Sequence, residues 1–314
     1  MAETLLEIKD LFVNFYTYRG IVRAINGVSF TVEKEEFFGL VGETGCGKSV
    51  TASAVLNLIR NPGRIESGQV VFKGRDLLSL PADTFRSEIR GKEITMIMQH
   101  PVAALNPVMR VGEQIAEVFP GKGDKTTIVV EKLREVNIPE PEKIARSYPH
   151  QLSGGMAQRV MIAMMLAPKP SLLIADEPTT ALDVSVQAQV LELLKELVAR
   201  HRSSVLLITH DMSVVAETCD RVGVMYAGDI VEIGTVEEVI FNPLHPYTKG
   251  LMAAIPSENK KKLEGIPGIV PELVSPPPGC RFHPRCPRAM AICSREKPSS
   301  LEAGKAHRVA CHLY

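Results

Sequence analysis

Residues 42–49 read Gly42-Glu43-Thr44-Gly45-Cys46-Gly47-Lys48-Ser49, which fits G-x-x-x-x-G-K-[ST] and runs into a stretch beginning with Val50. Glycines at those positions let successive backbone N–H groups turn inward and cradle phosphate oxygens at the positive end of a helix dipole. Lys48 then reaches the β- and γ-phosphates as a point charge, and the Ser49 hydroxyl is placed to ligate Mg²⁺. Cys46 reads as a small space-filling residue rather than a redox thiol. Asp176 and Glu177 end the apolar run Leu172-Leu173-Ile174-Ala175. In that position Asp176 can hold the Mg²⁺ shell, and Glu177 can orient and polarise an attacking water. Gln99 follows the run Ile94–Met98, and His210 follows Ser204–Ile208, so each sits just past a strand. Ser153-Gly154-Gly155 precedes the apolar stretch 157–166, where Ser153 can cap a helix and the glycines can offer N–H groups to an anion. Taken singly, the bland readings hold for these last three: a loop Gln, a structural His and a plain N-cap.

These residues need a scaffold of strands that end together. Phe37–Val41, Leu172–Ala175 and Ser204–Ile208 are short, continuous apolar runs, the pattern of strands buried on both faces. Between them, 186–200 carries Val190, Leu193, Leu194 and Leu197 on one helical face. Strands alternating with helices predict an α/β fold with a mainly parallel, helix-covered sheet. The segment Thr4–Thr31 alternates more and predicts added antiparallel strands.

The chain has 314 residues, long enough for one main domain and a smaller module. With 36 basic and 36 acidic side chains, it lacks the basic surplus of a nucleic-acid binder. Its 45% hydrophobic content is that of an ordinary globular protein. The apolar run 160–168 is too short to span a bilayer, and the acidic start MAETLLEIKD is unlike a secretory signal, so a soluble cytosolic protein is expected. Charge is uneven, however. Residues 256–314 hold 10 Lys and Arg against 5 Asp and Glu, with nine of the 22 prolines and four of the six cysteines. Such a segment builds turns, and a module so poor in core needs staples. The division expected is 1–255 and 256–314.

The order GETGCGKS, Gln99, LSGGM, LLIADEP, TALD and ITHD resembles that of the nucleotide-binding subunits of ABC transporters. Asn242-Pro243-Leu244-His245-Pro246-Tyr247-Thr248 and the Cys-rich end are similar to the ATPase subunits of oligopeptide/dipeptide importers. That resemblance implies a P-loop NTPase (RecA-like) core with an antiparallel β subdomain and a helical subdomain at about 99–166. It implies MgATP bound between the P-loop of one subunit and the LSGGM segment of a second ATPase subunit, identical or not. It also implies two transmembrane permease subunits, an indirect link to a peptide-binding protein, and a peripheral place on the cytoplasmic face of the membrane. Within it, Gln99 senses Mg²⁺ and water, His210 steadies the γ-phosphate, and Asp183 links the two sites. An aromatic stacks on adenine in this family; Tyr18 is the nearest match, Tyr16 would share its face and Phe15 would point away. Met156 stands where Gln is commonest, a trait shared with peptide-importer subunits.

Cys280, Cys286, Cys293 and Cys311 are too irregularly spaced for common zinc or ferredoxin patterns. In a reducing cytosol a four-thiolate metal site is expected rather than disulfides, with the metal left open by spacing. The resemblance, through Pro284-Arg285-Cys286-Pro287, implies a 4Fe–4S cluster, with Zn²⁺ as the alternative. Arg281, Arg285, Arg288 and Arg308 sit close in sequence to offset its charge, while His283, His307 and His312 read as surface residues and Cys219 as core. Rival functions are a soluble ABC ATPase of translation or DNA repair, and a redox- or metal-sensing adaptor. A single cassette with 54 positions between Gln99 and Ser153 fits the importer better. Whether the substrate is a peptide, a sugar or nickel stays open.

Overall fold

The computed structural model describes residues 3–121, 123–180, 182–255, 265–304 and 306–314. Pro256, where the sequence places the domain boundary, and Ala181 of the TALD run lie outside the described residues. Along the chain the strands are β1 (Thr4–Thr17), β2 (Gly20–Glu33), β3 (Phe37–Val41), β4 (Gly63–Phe72), β5 (Arg75–Asp76) and β6 (Ile94–Ile97). They continue with β7 (Leu172–Asp176), β8 (Ser204–Thr209), β9 (Arg221–Tyr226), β10 (Asp229–Thr235), β11 (Ser300–Glu302) and β12 (Arg308–Ala310). The chain forms two compact units, one of Met1–Ser79 with Leu207–Tyr314, the other of Leu80–Leu206.

In the first unit, β1 and β2 form the antiparallel pair expected from their alternation, inside a sheet ordered β2-β1-β4-β5. Leu6, Ile8, Leu11 and Val13 of β1 are all buried although Ile8 and Leu11 are three apart. The register shifts between those two residues, and Asp10 adopts a left-handed φ of 43°. That bulge absorbs one residue and returns the apolar side chains to a single face. Elsewhere in the unit, β3 runs parallel to β9, β9 pairs antiparallel with β10, and β10 with β12. Phe38, Leu40 and Val41 of β3 are fully buried, as a doubly covered strand requires.

The C-terminal stretch is loop-rich as its prolines dictate, with 3₁₀ turns at His283–Arg285 and Ala291–Ser294. It is nevertheless not a free-standing appendage. Strand β12 extends the sheet by pairing Val309 with Glu232, and Phe282 joins a buried cluster with Val224, Tyr226, Val239 and Tyr247. Phe282 meets Tyr226 edge-on at 5.0 Å between ring centroids, and Tyr247 at 5.4 Å. The tail therefore borrows its core from the body.

In the second unit, β6 runs parallel to β7. The helix Val184–His201 buries Val190, Leu193, Leu194 and Leu197, the face predicted from spacing, together with Leu191 and Val198. The helix Gly154–Leu166 buries Ala157, Val160, Met161, Ile162, Ala163 and Leu166, and shorter helices span Val111–Glu117, Thr126–Glu135 and Pro141–Ala145.

Candidate functional site

Strand β3 delivers the chain into the loop 42–49, and the helix Lys48–Val55 leaves it. The loop's tight path explains its glycines. Gly47 has φ +110°, and a Cβ there would lie 2.8 Å from the Ala24 carbonyl oxygen. At Gly42 a Cβ would come within 2.1 Å of the Met225 carbonyl oxygen. Any side chain would force the loop off its seat on β2 and β9. Cys46 fills space, as expected: it is fully buried, and burial pushes its thiol up. Its carbonyl accepts the Gly228 N–H at 2.8 Å. Lys48 is buried too, its ammonium donating to the carbonyls of Gly42 at 2.7 Å and Glu43 at 3.1 Å. Thr44, Gly45 and Ser49 are exposed and Val50 half-buried. Buried lysine charge, exposed N–H groups and a hydroxyl at a helix start are the parts a triphosphate with Mg²⁺ requires.

Two partners of this loop were not legible as such. The Glu43 carboxylate accepts a hydrogen bond from Arg285 Nη1 at 2.8 Å, and its backbone N–H donates to the buried Tyr247 hydroxyl at 2.9 Å. Burial pushes the Tyr247 hydroxyl far above its ordinary value, so it stays a neutral acceptor. An acid within a polyanion-binding loop is itself a signal that a cation must stand nearby.

The second unit brings together Gln99 and Glu177. Gln99 Nε2 donates to Glu177 Oε2 at 2.9 Å, and the Thr180 hydroxyl donates to the same oxygen at 2.8 Å. Glu177 follows the buried Asp176 at the end of β7 and holds a left-handed φ of 47°. A non-glycine residue in that conformation costs of order 1–3 kcal/mol, a strain typical of functional sites. Ser153 caps the helix Gly154–Leu166, its hydroxyl accepting the Met156 N–H at 3.3 Å. Gly154 and Ser153 are exposed, and a Cβ on Gly155 would meet Val186 at 2.8 Å. Asp183 caps the helix Val184–His201 by accepting the Val186 N–H at 3.0 Å. In the first unit, His210 is exposed just past β8, beside Asp211, which caps the helix Met212–Thr218.

Tyr18 stands almost fully exposed at the β1–β2 turn, where Arg19 Nε donates to its hydroxyl at 3.0 Å. The Tyr16 hydroxyl donates to Glu66 at 2.8 Å, and the Arg64 guanidinium lies over its ring. Phe15 instead packs against Gly63.

The four tail cysteines are free thiols. Cys280 donates its backbone N–H to the Cys293 carbonyl at 2.8 Å. Burial pushes the Cys280 thiol up to about 11, with smaller effects from Cys293, Cys311 and Cys286, and burial also raises Cys286 and Cys311. Metal ligation needs thiolates, and among the described residues no three or more His, Cys, Asp or Glu side chains are grouped to hold a metal ion. The thiols lie near one another without forming a ligand cage. Two expectations about their surroundings need correction. His307 is buried rather than on the surface, its Nε2 at 2.7 Å from Glu232 Oε1. Arg281 and Arg285 are not counter-charges held for a cluster: Arg281 is buried against Asp229 and the carbonyls of Arg23 and Ala227, and Arg285 against Glu43.

The strand–loop–helix with G-x-x-x-x-G-K-S is the mark of a P-loop nucleotide-binding protein. Comparison with known proteins makes this more specific. The ABC transporter family pattern matches residues 25–180, and the oligopeptide/dipeptide transporter C-terminal region matches residues 231–293. The dipeptide transport ATP-binding protein DppD of Bacillus subtilis is 46% identical, over 99% of this chain and 95% of its own length. The oligopeptide transport ATP-binding protein OppD of Salmonella typhimurium is 48% identical, over 95% of this chain and 90% of its own. Among solved structures, a dimeric ATP-binding cassette in a post-hydrolysis state with ADP and Pi superposes with a TM-score of 0.64. It is 25% identical and covers 74% of this chain and 98% of its own. The chain belongs to the ABC transporter ATP-binding proteins of the oligopeptide/dipeptide type. No helix among the described residues is long and apolar enough to cross a membrane.

Proposed function

We propose that this chain is the ATP-hydrolysing subunit of a peptide importer, coupling MgATP turnover to the uptake of dipeptides or oligopeptides. The observation that carries the reading is the Gln99–Glu177–Thr180 network beside a strand-end Asp176, in a chain that also holds the loop 42–49. A carboxylate oriented by an amide and a hydroxyl can position and polarise a water for attack on a γ-phosphate. In this reading Lys48, Gly42–Ser49 and Val50 bind the phosphates, and Ser49, Gln99 and Asp176 hold Mg²⁺. Tyr18 or Tyr16 stacks on the adenine, His210 steadies the γ-phosphate, and Ser153, Gly154, Gly155 and Asp183 serve the site of a second ATPase subunit. Residues 1–255 form the cassette, with its helical part at about 99–166, and 256–314 the importer-type end. Its partners are a second such subunit, two permease subunits and, indirectly, a peptide-binding protein, at the cytoplasmic face of the membrane. Cys280, Cys286, Cys293 and Cys311 are the residues that would hold a 4Fe–4S cluster, or Zn²⁺, once deprotonated and drawn together. The family resemblance supports that reading.

The test is to reconstitute the chain with its membrane subunits in vesicles and measure ATP hydrolysis with and without peptide-loaded binding protein. Peptide should raise turnover several-fold and accumulate inside the vesicles. Stimulation by a sugar or nickel, with none by peptides, would overturn the assignment of substrate class.

A further inference from the structure

The Arg285 side chain, 7% exposed, meets three segments at once. Its Nη1 donates to Glu43 at 2.8 Å and lies 3.4 Å from the Tyr226 hydroxyl, while its guanidinium sits 5.7 Å from the centre of the Tyr226 ring. Its Nε donates to the Pro267 carbonyl at 2.9 Å and its Nη2 to the Ile266 carbonyl at 3.2 Å. A guanidinium has five N–H donors in a rigid fork, and here they are spread over the phosphate loop, the β9 end and the 266–267 stretch. Tyr247 completes the grip on Glu43 from the other side by accepting its backbone N–H.

The charge logic is direct. Glu43 is the second residue of a loop that must hold a polyanion, and alone its carboxylate would repel the triphosphate across a short, poorly screened distance. Arg285 opposes that charge through a direct ion pair at 2.8 Å. It reaches the loop from 242 residues further along the chain.

We propose that Arg285 is a positioning residue for the nucleotide, and that through it the C-terminal segment sets how tightly the phosphate loop holds a triphosphate. The inference rests on the loop 42–49 being the triphosphate site, and it assigns to the tail a role in ATP affinity distinct from any metal it holds. Because Cys286 is the next residue and the His283–Arg285 turn carries the side chain, displacement of the cysteine segment would release Glu43.

The test is a charge cycle read in the full chain by titration with a fluorescent ATP analogue in Mg²⁺, beside steady-state kinetics. Arg285→Gln should weaken nucleotide binding about tenfold and raise KM with kcat reduced less than about threefold, because one uncompensated charge worth a factor of ten is left in the loop. Arg285→Lys should recover part of the loss. Glu43→Gln alone should tighten binding about two- to threefold, since the cation is left unopposed. The double variant should return to within about threefold of the parent. A role limited to strapping residues 266 and 267 gives no such recovery, so a double variant as weak as Arg285→Gln would overturn the proposal. So would unchanged affinity in Arg285→Gln. Lys48→Ala separates the two levels of the argument. If it abolishes binding while the charge cycle is flat, the site stands and this inference falls; if it binds nucleotide like the parent, the site itself falls.

Discussion

Glu232→Ala is the perturbation that most severely tests how the C-terminal segment is built into the nucleotide-binding unit. Glu232 is buried in β10, and its carboxylate accepts three hydrogen bonds: the Leu244 N–H at 2.7 Å, the His245 N–H at 2.9 Å and His307 Nε2 at 2.7 Å. The first two start the helix Pro246–Ala254 that carries Tyr247, and the third ties down the strand Arg308–Ala310. Truncation leaves three buried donors without an acceptor. Each costs about 1–3 kcal/mol, and with relaxation and some water entry the total is about 3–5 kcal/mol. Glu232→Gln keeps an acceptor and should lose roughly half as much. The chain has no Trp, so unfolding in urea is best followed by far-ultraviolet circular dichroism, with limited proteolysis reporting release of the tail. Both the loss of stability and early cleavage of the tail are expected in Glu232→Ala. A loss below about 1 kcal/mol with the tail still protected would refute the reasoning, because three orphaned buried donors cannot be so cheap.

Other outcomes follow from the buried titratable groups. Burial lowers the His245 pKa to about 3, with a smaller push from Lys249, and its Nδ1 accepts the Tyr247 N–H. The folded state therefore refuses a proton that the unfolded state takes near pH 6.5, so stability present above that pH is lost progressively as pH falls toward 3. His245→Asn should flatten that dependence between those limits; an unaltered acid limb in urea titrations would contradict it. Because burial raises the Cys46 thiol and covers it, peptide-mapped alkylation of the native protein at pH 8 should reach Cys46 at least about tenfold more slowly than the partly exposed Cys286. Faster labelling of Cys46 would show that the loop opens.

Much of this architecture is readable locally. The runs Phe37–Val41, Leu172–Ala175 and Ser204–Ile208 become β3, β7 and β8 because strands covered on both faces need unbroken apolar sequence. The stripe Val190–Leu197 becomes a buried helix face for an equally local reason, and the phosphate loop announces itself through glycines that only this path requires. What local pattern does not carry is pairing at long range. Glu232 and His307 are 75 residues apart, so nothing near His307 in sequence distinguishes it from the half-buried His283 or His312. Arg281 and Arg285 read from sequence as charges that offset a cluster because their carboxylate partners, Asp229 and Glu43, lie in other segments. The same holds for β12, whose three residues carry no strand signature and pair with β10 because that edge is open to them. Ser153 caps its helix as its place before the run 157–166 suggests, whereas the capping duty of Asp183 is not revealed by its functional pattern.

The proposed function requires that Glu177, which accepts hydrogen bonds from Gln99 and Thr180, promote attack of water on a bound triphosphate. Single-turnover hydrolysis of radiolabelled MgATP by Glu177→Gln, with retained nucleotide measured in parallel, tests it most directly. Turnover should fall by at least about a hundredfold while ATP binding persists, and the trapped ATP should hold two subunits together. Hydrolysis at the parental rate in that variant would contradict the account.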